Sequence, residues 1–130
     1  MIVLDTSAAI DCMLRTPIGQ RIAQRVFRHG ETVHTVHLLD LEFAQVLRRL
    51  VREKTITTRR AEEAIQDLGA LRMTRYAPAL LLDRVWQLRA NLSAYDAAYV
   101  ALAEGLKASL ITRDRRLAAA PGHRAAVEVF

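Results

Sequence analysis

The chain is poor in the residues that place many small proteins in a class at once. Of its 130 residues only Cys12 is a cysteine, which excludes an internal disulfide framework and Cys-rich zinc sites and fits a reducing compartment. Cys12 itself reads as a small buried hydrophobe rather than a reactive thiol. Three prolines and five glycines are scattered without forming a Gly-, Ser- or Pro-rich linker, and there is no repeat or low-complexity tract. One domain spanning residues 1–130 is therefore expected. No stretch approaches the roughly 18 apolar residues of a membrane span, and Met1 to Asp5 lacks the basic stretch and long apolar core of a secretory signal. The histidines, His29, His34, His37 and His123, show no metal-ligand spacing. A soluble, cytoplasmic protein is the expectation.

What is present is a chain that is 52% hydrophobic, enough for a real core, with a formal charge of +5. Lysine is nearly missing: 17 of the 19 basic residues are Arg, the side chain best shaped to grip phosphate with a two-pronged fork. Such a balance favours a polyanionic partner. An Arg-rich surface is also what a high-GC coding bias gives, so composition alone is weak evidence for a nucleic-acid partner, and nothing in it distinguishes RNA from DNA.

The order of elements carries more. Ile2-Val3-Leu4 is a short apolar run ending at Asp5, with Thr6 or Ser7 able to cap a helix from Ala8. A second strand is expected near Thr32 to Val36, then a helix from about Asp40 to Glu53 with Leu39, Phe43, Val46, Leu47 and Leu50 on one face. Asp40 is the expected cap of that helix. Thr57 or Thr58 caps a helix to about Leu68, Leu71 to Tyr76 reads as a third strand, and Pro78 opens a helix to about Arg89. Asn91-Leu92-Ser93 starts a helix from Ala94 to Glu104, with Gly105 as its left-handed stop. Ser109 to Thr112 and Ala126 to Phe130 complete the strands. Leu80-Leu81-Leu82 and Val85-Trp86 read as core, or as a dimer contact if exposed. Strands alternating with helices predict an α/β fold with a parallel sheet covered on both faces. Ligands of such sheets bind beyond the carboxyl ends of the strands.

Four acids stand out against this background. An ionised carboxylate in an apolar setting costs several kcal/mol or more unless paired, protonated or metal-bound. Asp5 closes the first strand, where it could also be a helix cap. Glu42 lies within the apolar arc of its helix, where an acid also suits the helix dipole. Asp96 is the only acidic or basic residue between Ala94 and Ala103 on a helix apolar nearly all round, although Ser93 to Asp96 could form a capping box. Asp114 closes the strand Leu110-Ile111-Thr112, where Asp also serves in turns. The proposed fold brings all four to one rim. Asp11, Glu31, Glu53, Glu62, Glu63, Asp67, Asp83, Glu104 and Glu128 fit solvated faces or termini.

The motifs that hold these acids resemble the PIN-domain family, and more narrowly the VapC-type ribonuclease toxins of type II toxin-antitoxin systems. The resemblance rests on Ile2-Val3-Leu4-Asp5-Thr6-Ser7-Ala8, on Glu42 with Val46-Leu47-Arg48-Arg49, on Leu92 through Ala103 around Asp96, and on Leu110-Ile111-Thr112-Arg113-Asp114. It implies a Rossmann-like PIN domain with a central parallel sheet of four or five strands flanked by helices. It further implies an acidic site of Asp5, Glu42, Asp96 and Asp114 that binds Mg²⁺ or Mn²⁺ and hydrolyses RNA, with Thr6, Ser7 and Thr112 in support. Gln45 stands where the family usually carries Asn. A VapB-type antitoxin whose tail blocks the pocket and a homodimer are the implied partners.

Because the pocket is itself negative, Arg15, Arg48, Arg49, Arg52, Arg113, Arg115 and Arg116 are the expected holders of the RNA backbone. Other classes fit less well. A haloacid-type phosphatase needs a second Asp where Ser7 stands, and a receiver-type switch needs a strand-end Lys that neither Lys54 nor Lys107 supplies. A binding module without catalysis has no need of all four acids.

Overall fold

The computed structural model describes residues 1–130. Five strands, β1 (Ile2–Leu4), β2 (Val33–Val36), β3 (Met73–Tyr76), β4 (Ser109–Thr112) and β5 (Val127–Val129), form one sheet in the order β3-β2-β1-β4-β5. Every neighbouring pair is parallel, with Ile2 beside both Val33 and Ser109. The three residues of β1 are fully buried, as an uninterrupted apolar run at the centre of a covered sheet should be.

Around the sheet stand α1 (Thr6–Leu14), α2 (Pro17–Val26), α3 (Leu38–Arg52), α4 (Thr58–Ala70), a 3₁₀ turn (Pro78–Leu81), α5 (Leu82–Gln87), α6 (Ala94–Leu106) and α7 (Arg115–Ala119). The chain steps from β1 outward to β3 and then returns past β1 to β4. With right-handed crossovers that reversal puts α1 to α4 on one face and α6 on the other. The packing agrees, since α1 touches α2, α3 and α4, whereas α6 packs on α5 and the central strands.

Several boundaries depart from the sequence-based expectation, each for a local reason. The helix after β1 starts at Thr6 because Asp5 itself is the cap, its carboxylate accepting from the Ala8 N–H. Helix α2 was not foreseen. Thr16 caps it by accepting from the Gly19 N–H, Pro17 opens it, and Ile22 and Val26 are buried. Its seat depends on Gly19, where a Cβ would lie 1.8 Å from the Asp11 carbonyl oxygen.

Asp40 is not the cap of α3, which begins earlier, at Leu38, behind an uncapped His37. Instead Asp40 takes a two-pronged pair from Arg75 on β3, at 2.8 and 2.9 Å. Helix α6 runs through Gly105 to Leu106, which packs against the core, and the left-handed residue is Lys107 (φ 53°). The segment after Pro78 is a 3₁₀ turn followed by a helix that ends at Gln87. On it Leu80, Leu82 and Trp86 are exposed rather than core, at 77%, 58% and 68%. Arg89 stacks over the Trp86 ring at 4.6 Å. No helix is long and apolar enough to cross a membrane.

Candidate active site

Strands β1 and β4 are neighbours where the strand order reverses, and both run toward the same rim, the place where sheets of this kind open a crevice. Asp5 follows β1 directly and Asp114 comes two residues after β4. Helix α3, entered from β2, carries Glu42, and the first turn of α6 carries Asp96. All four acids line one depression of about 390 Å³, together with Thr6, Ser7 and Tyr99.

Asp5 is both cap and site residue, so the two readings of it do not compete. Its Oδ1 accepts from the Ala8 N–H at 2.9 Å and from the Ser7 hydroxyl at 2.8 Å, and its Oδ2 accepts from the Thr112 hydroxyl. Those hydroxyls are held in turn, Ser7 Oγ by the Arg113 N–H and Thr112 Oγ1 by the Asp114 N–H, each at 2.9 Å. Ser7 and Thr112 thus both hydrogen-bond to Asp5. Burial raises the Asp5 carboxyl above its ordinary range. The three donors oppose this, and the charge of Asp96 adds to it.

Asp96 is half-buried, and loss of water raises its carboxyl as well. The Ser93 hydroxyl opposes the rise, Asp114 and Glu42 reinforce it, and Arg116 weakly counters it. Ser93 caps α6 by accepting from the Asp96 N–H at 3.1 Å. The reciprocal bond of a capping box, from the Ser93 N–H to the Asp96 carboxylate, is not made, so the side chain stays available to the depression.

Glu42 Oε1 accepts from the Thr6 hydroxyl at 2.9 Å and from the Tyr99 hydroxyl at 2.6 Å. Asp114 Oδ1 caps α7, accepting from the N–H groups of Arg116 (2.8 Å) and Leu117 (3.4 Å). Neither Glu42 Oε2 nor Asp114 Oδ2 receives a donor from the protein. No three of these acids stand close enough to form a ready-made metal-ligand group. The donor chemistry nonetheless suits a hard divalent cation, since all ligands on offer are oxygens. Such a cation would relieve both the desolvation and the mutual repulsion that raise Asp5 and Asp96.

The expected RNA-contacting arginines divide. Arg49 lines the depression, is exposed and has only a 3.9 Å contact with Glu53. Arg116 is almost fully exposed, 3.8 Å from Asp114. Arg113 lines the depression but is committed, its Nε donating to Asp11 at 2.8 Å and its Nη1 to the Phe130 carbonyl at 2.6 Å. Arg48, Arg52 and Arg115 lie outside the depression, and Arg15 pairs with Asp67 on the far side of α1.

Sequence reasoning missed two residues here. Asp11, assigned to a solvated face, also lines the depression and holds Arg113. Its signal was its place one helical turn after Ser7. Tyr99, only 2% exposed, is one turn past Asp96 on α6. Burial and the adjacent Glu42 hold its phenol well above the ordinary value, so it remains a hydrogen-bond donor.

Comparison with known proteins places these features in a lineage. A family model described as "PIN domain" matches residues 2–122. Ribonuclease VapC9 of Mycobacterium tuberculosis is 42% identical over 117 residues, covering 90% of this chain and 88% of that protein. Ribonuclease VapC12 of the same organism is 40% identical over 129 residues, covering 99% and 98%. Among solved structures, PAE2754 from Pyrobaculum aerophilum superposes with a TM-score of 0.73 at 21% identity, covering 99% of this chain and 83% of that one. At that identity the likeness speaks for the fold alone.

Proposed function

Because the chain belongs to the PIN-domain family, among its VapC ribonucleases, we propose that it is an endoribonuclease toxin whose phosphodiester hydrolysis is carried by Asp5, Glu42, Asp96 and Asp114 with a divalent cation. The observation that carries this assignment is the convergence of the four acids in one depression, with Asp5 and Asp96 both raised by loss of water there. Groups pushed away from their ordinary ionisation in a cleft mark functional sites more often than chance.

Asp5, Glu42, Asp96 and Asp114 would hold Mg²⁺ or Mn²⁺, which when bound would supply Lewis-acid polarisation of the phosphate and neutralise charge developing on its oxygens. The chain's own part is to place and discharge the groups around it. Asp5, gripped by Ala8, Ser7 and Thr112, is the rigid member. Glu42 offers Oε2, and Asp114 offers Oδ2 from the tip of α7. Asp96, half-buried in the first turn of α6, completes the acidic set from the opposite face of the sheet. Arg49 and Arg116 are the arginines free to hold flanking phosphates.

Two partners follow. A groove of about 910 Å³ between α1, α2 and α4 has an apolar floor that includes Met13 and Leu71, with exposed Phe27, Arg28 and Arg72 at its rim. It suits an amphipathic segment of a cognate antitoxin whose tail, as the family resemblance implies, would block the acidic pocket. The exposed Leu80, Leu82 and Trp86 suit a homodimer contact. A cytoplasmic location suits all of these roles.

The decisive experiment is cleavage of RNA by the purified chain with and without EDTA, followed by separate addition of Mg²⁺ and Mn²⁺. Cleavage should stop with chelation, return with either ion, and be lost in Asp5→Asn and Asp96→Asn. Full activity in either variant, or in EDTA, would sink the assignment.

A further inference from the structure

One hydroxyl at the rim is not accounted for by the four acids. Tyr99 is 2% exposed and its ring belongs to the core of α6, a place where Phe would pack as well. A buried phenol needs a hydrogen-bond partner. The partner here is a carboxylate lining the depression, Glu42 Oε1 at 2.6 Å, within the short range of a charge-assisted O–H···O⁻ bond.

Thr6 completes a triangle. Its hydroxyl donates to the same Oε1 at 2.9 Å and lies 2.8 Å from the Tyr99 hydroxyl. Three contacts share two hydroxyl protons; with both directed at Oε1, the Thr6–Tyr99 side of the triangle is a close contact without a proton of its own. The three members come from α1, α3 and α6, elements from both faces of the sheet. Two donors on one oxygen also pin the terminal torsion of Glu42, which in glutamate is otherwise broad.

We propose that Tyr99 is a positioning residue: with Thr6 it fixes Oε1 of Glu42 and thereby presents Oε2 to the cation of the acidic site. This rests on the acidic-site reading above and adds to it a member that touches neither cation nor RNA. Partners that orient a metal ligand typically matter by roughly 10–100-fold in metal affinity or activity.

The test is Mn²⁺ binding to the full chain by calorimetry, without RNA, in wild type, Tyr99→Phe, Thr6→Val and Asp96→Asn, with thermal unfolding of each. RNA cleavage is then followed against Mn²⁺ concentration. Tyr99→Phe should weaken Mn²⁺ binding by roughly tenfold and raise the Mn²⁺ needed for half-maximal cleavage by the same factor. The rate at saturating Mn²⁺ should change far less. Thr6→Val should shift the same two quantities in the same direction, and it decides the matter if Tyr99→Phe does not fold.

Unchanged Mn²⁺ affinity in the folded variants overturns the role of Tyr99 while leaving the acidic site in place. So does a loss confined to the rate at saturating Mn²⁺. A wild type that binds no Mn²⁺, or an Asp96→Asn variant that binds it as tightly as wild type, overturns the acidic site and the role of Tyr99 together.

Discussion

Around Arg25, beside the start of β1 and β2, Glu31 and Glu128 both accept from one guanidinium, and Glu31 also takes the amino group of Met1 at 2.6 Å. At the opposite rim Asp5 feels the charge of Asp96, and Asp96 those of Asp114 and Glu42, with hydroxyls and a backbone N–H to offset them. The carboxyls of Glu31 and Glu128 are held below their ordinary range by the cations beside them. Those of Asp5 and Asp96 are pushed above it by burial. One end of the molecule thus uses carboxylates to hold elements together, and the other surrounds them with neutral donors and keeps them short of close cations. An acid's role is read from what faces it, not from its burial alone.

The largest effect should come from removing charge at the rim. Asp5→Asn and Asp96→Asn should each lower RNA cleavage by about 10²–10³-fold, as expected when several kcal/mol of charge stabilisation is lost. Asp96→Asn should leave the metal-free melting temperature unchanged or higher, because it removes a desolvated charge. A melting temperature that fell with activity would erase the contrast between the ends.

Next in size, a saturating divalent cation should stabilise the wild type by about 2.7 kcal/mol at one hundred times its dissociation constant. Asp96→Asn should show much less of this shift, and Arg25→Ala should show all of it. Thermal unfolding with and without Mn²⁺ checks both.

At the other end, Arg25→Ala should cost about 2 kcal/mol, since it leaves two carboxylates without their charged donor. Activity per folded molecule should not change, which chemical denaturation and an RNA assay would show together.

The smallest effect is in the pH dependence of the metal-free protein, and its sign differs between the two ends. Asp5 and Asp96, raised above 3.8, bind more protons in the folded chain than in the unfolded one. Their contribution therefore becomes more favourable as pH falls toward that value. Glu31, Glu104 and Glu128, lowered below 4.5, bind more protons in the unfolded chain. Their contribution is present above 4.5 and is lost as pH falls through the folded values. Asp96→Asn should consequently lose stability more steeply than wild type on acidification from pH 7 toward 4. An identical slope would show that Asp96 is not strained.

Much of this was legible in the sequence because the informative residues obeyed local rules. Apolar runs ending in Asp5 and Asp114 marked the strand ends. An acid on the otherwise apolar α6 marked Asp96. What escaped depended on distant partners. Asp40 looked like a cap, yet Arg75, 35 residues away, claimed it. Arg113 looked free to hold phosphate, but Asp11 and the chain's last residue occupy it. Tyr99 carried no local mark, since nothing in its neighbourhood says that Glu42 lies across the rim. Helix α2 was overlooked despite its Thr16-Pro17 opening, because a short amphipathic segment between two stronger signals reads as connection.

Gly19 has no positive φ to excuse it. It is small because α2 crosses α1 at the Asp11 carbonyl. The same Asp11 steadies Arg113 at the rim, and the far end of α2 carries Arg25. A methyl group at position 19 would tilt a rod that touches both regions, shifting catalysis and durability together. The position is closed to any side chain by lack of room, so a single missing methyl group keeps the two ends in register.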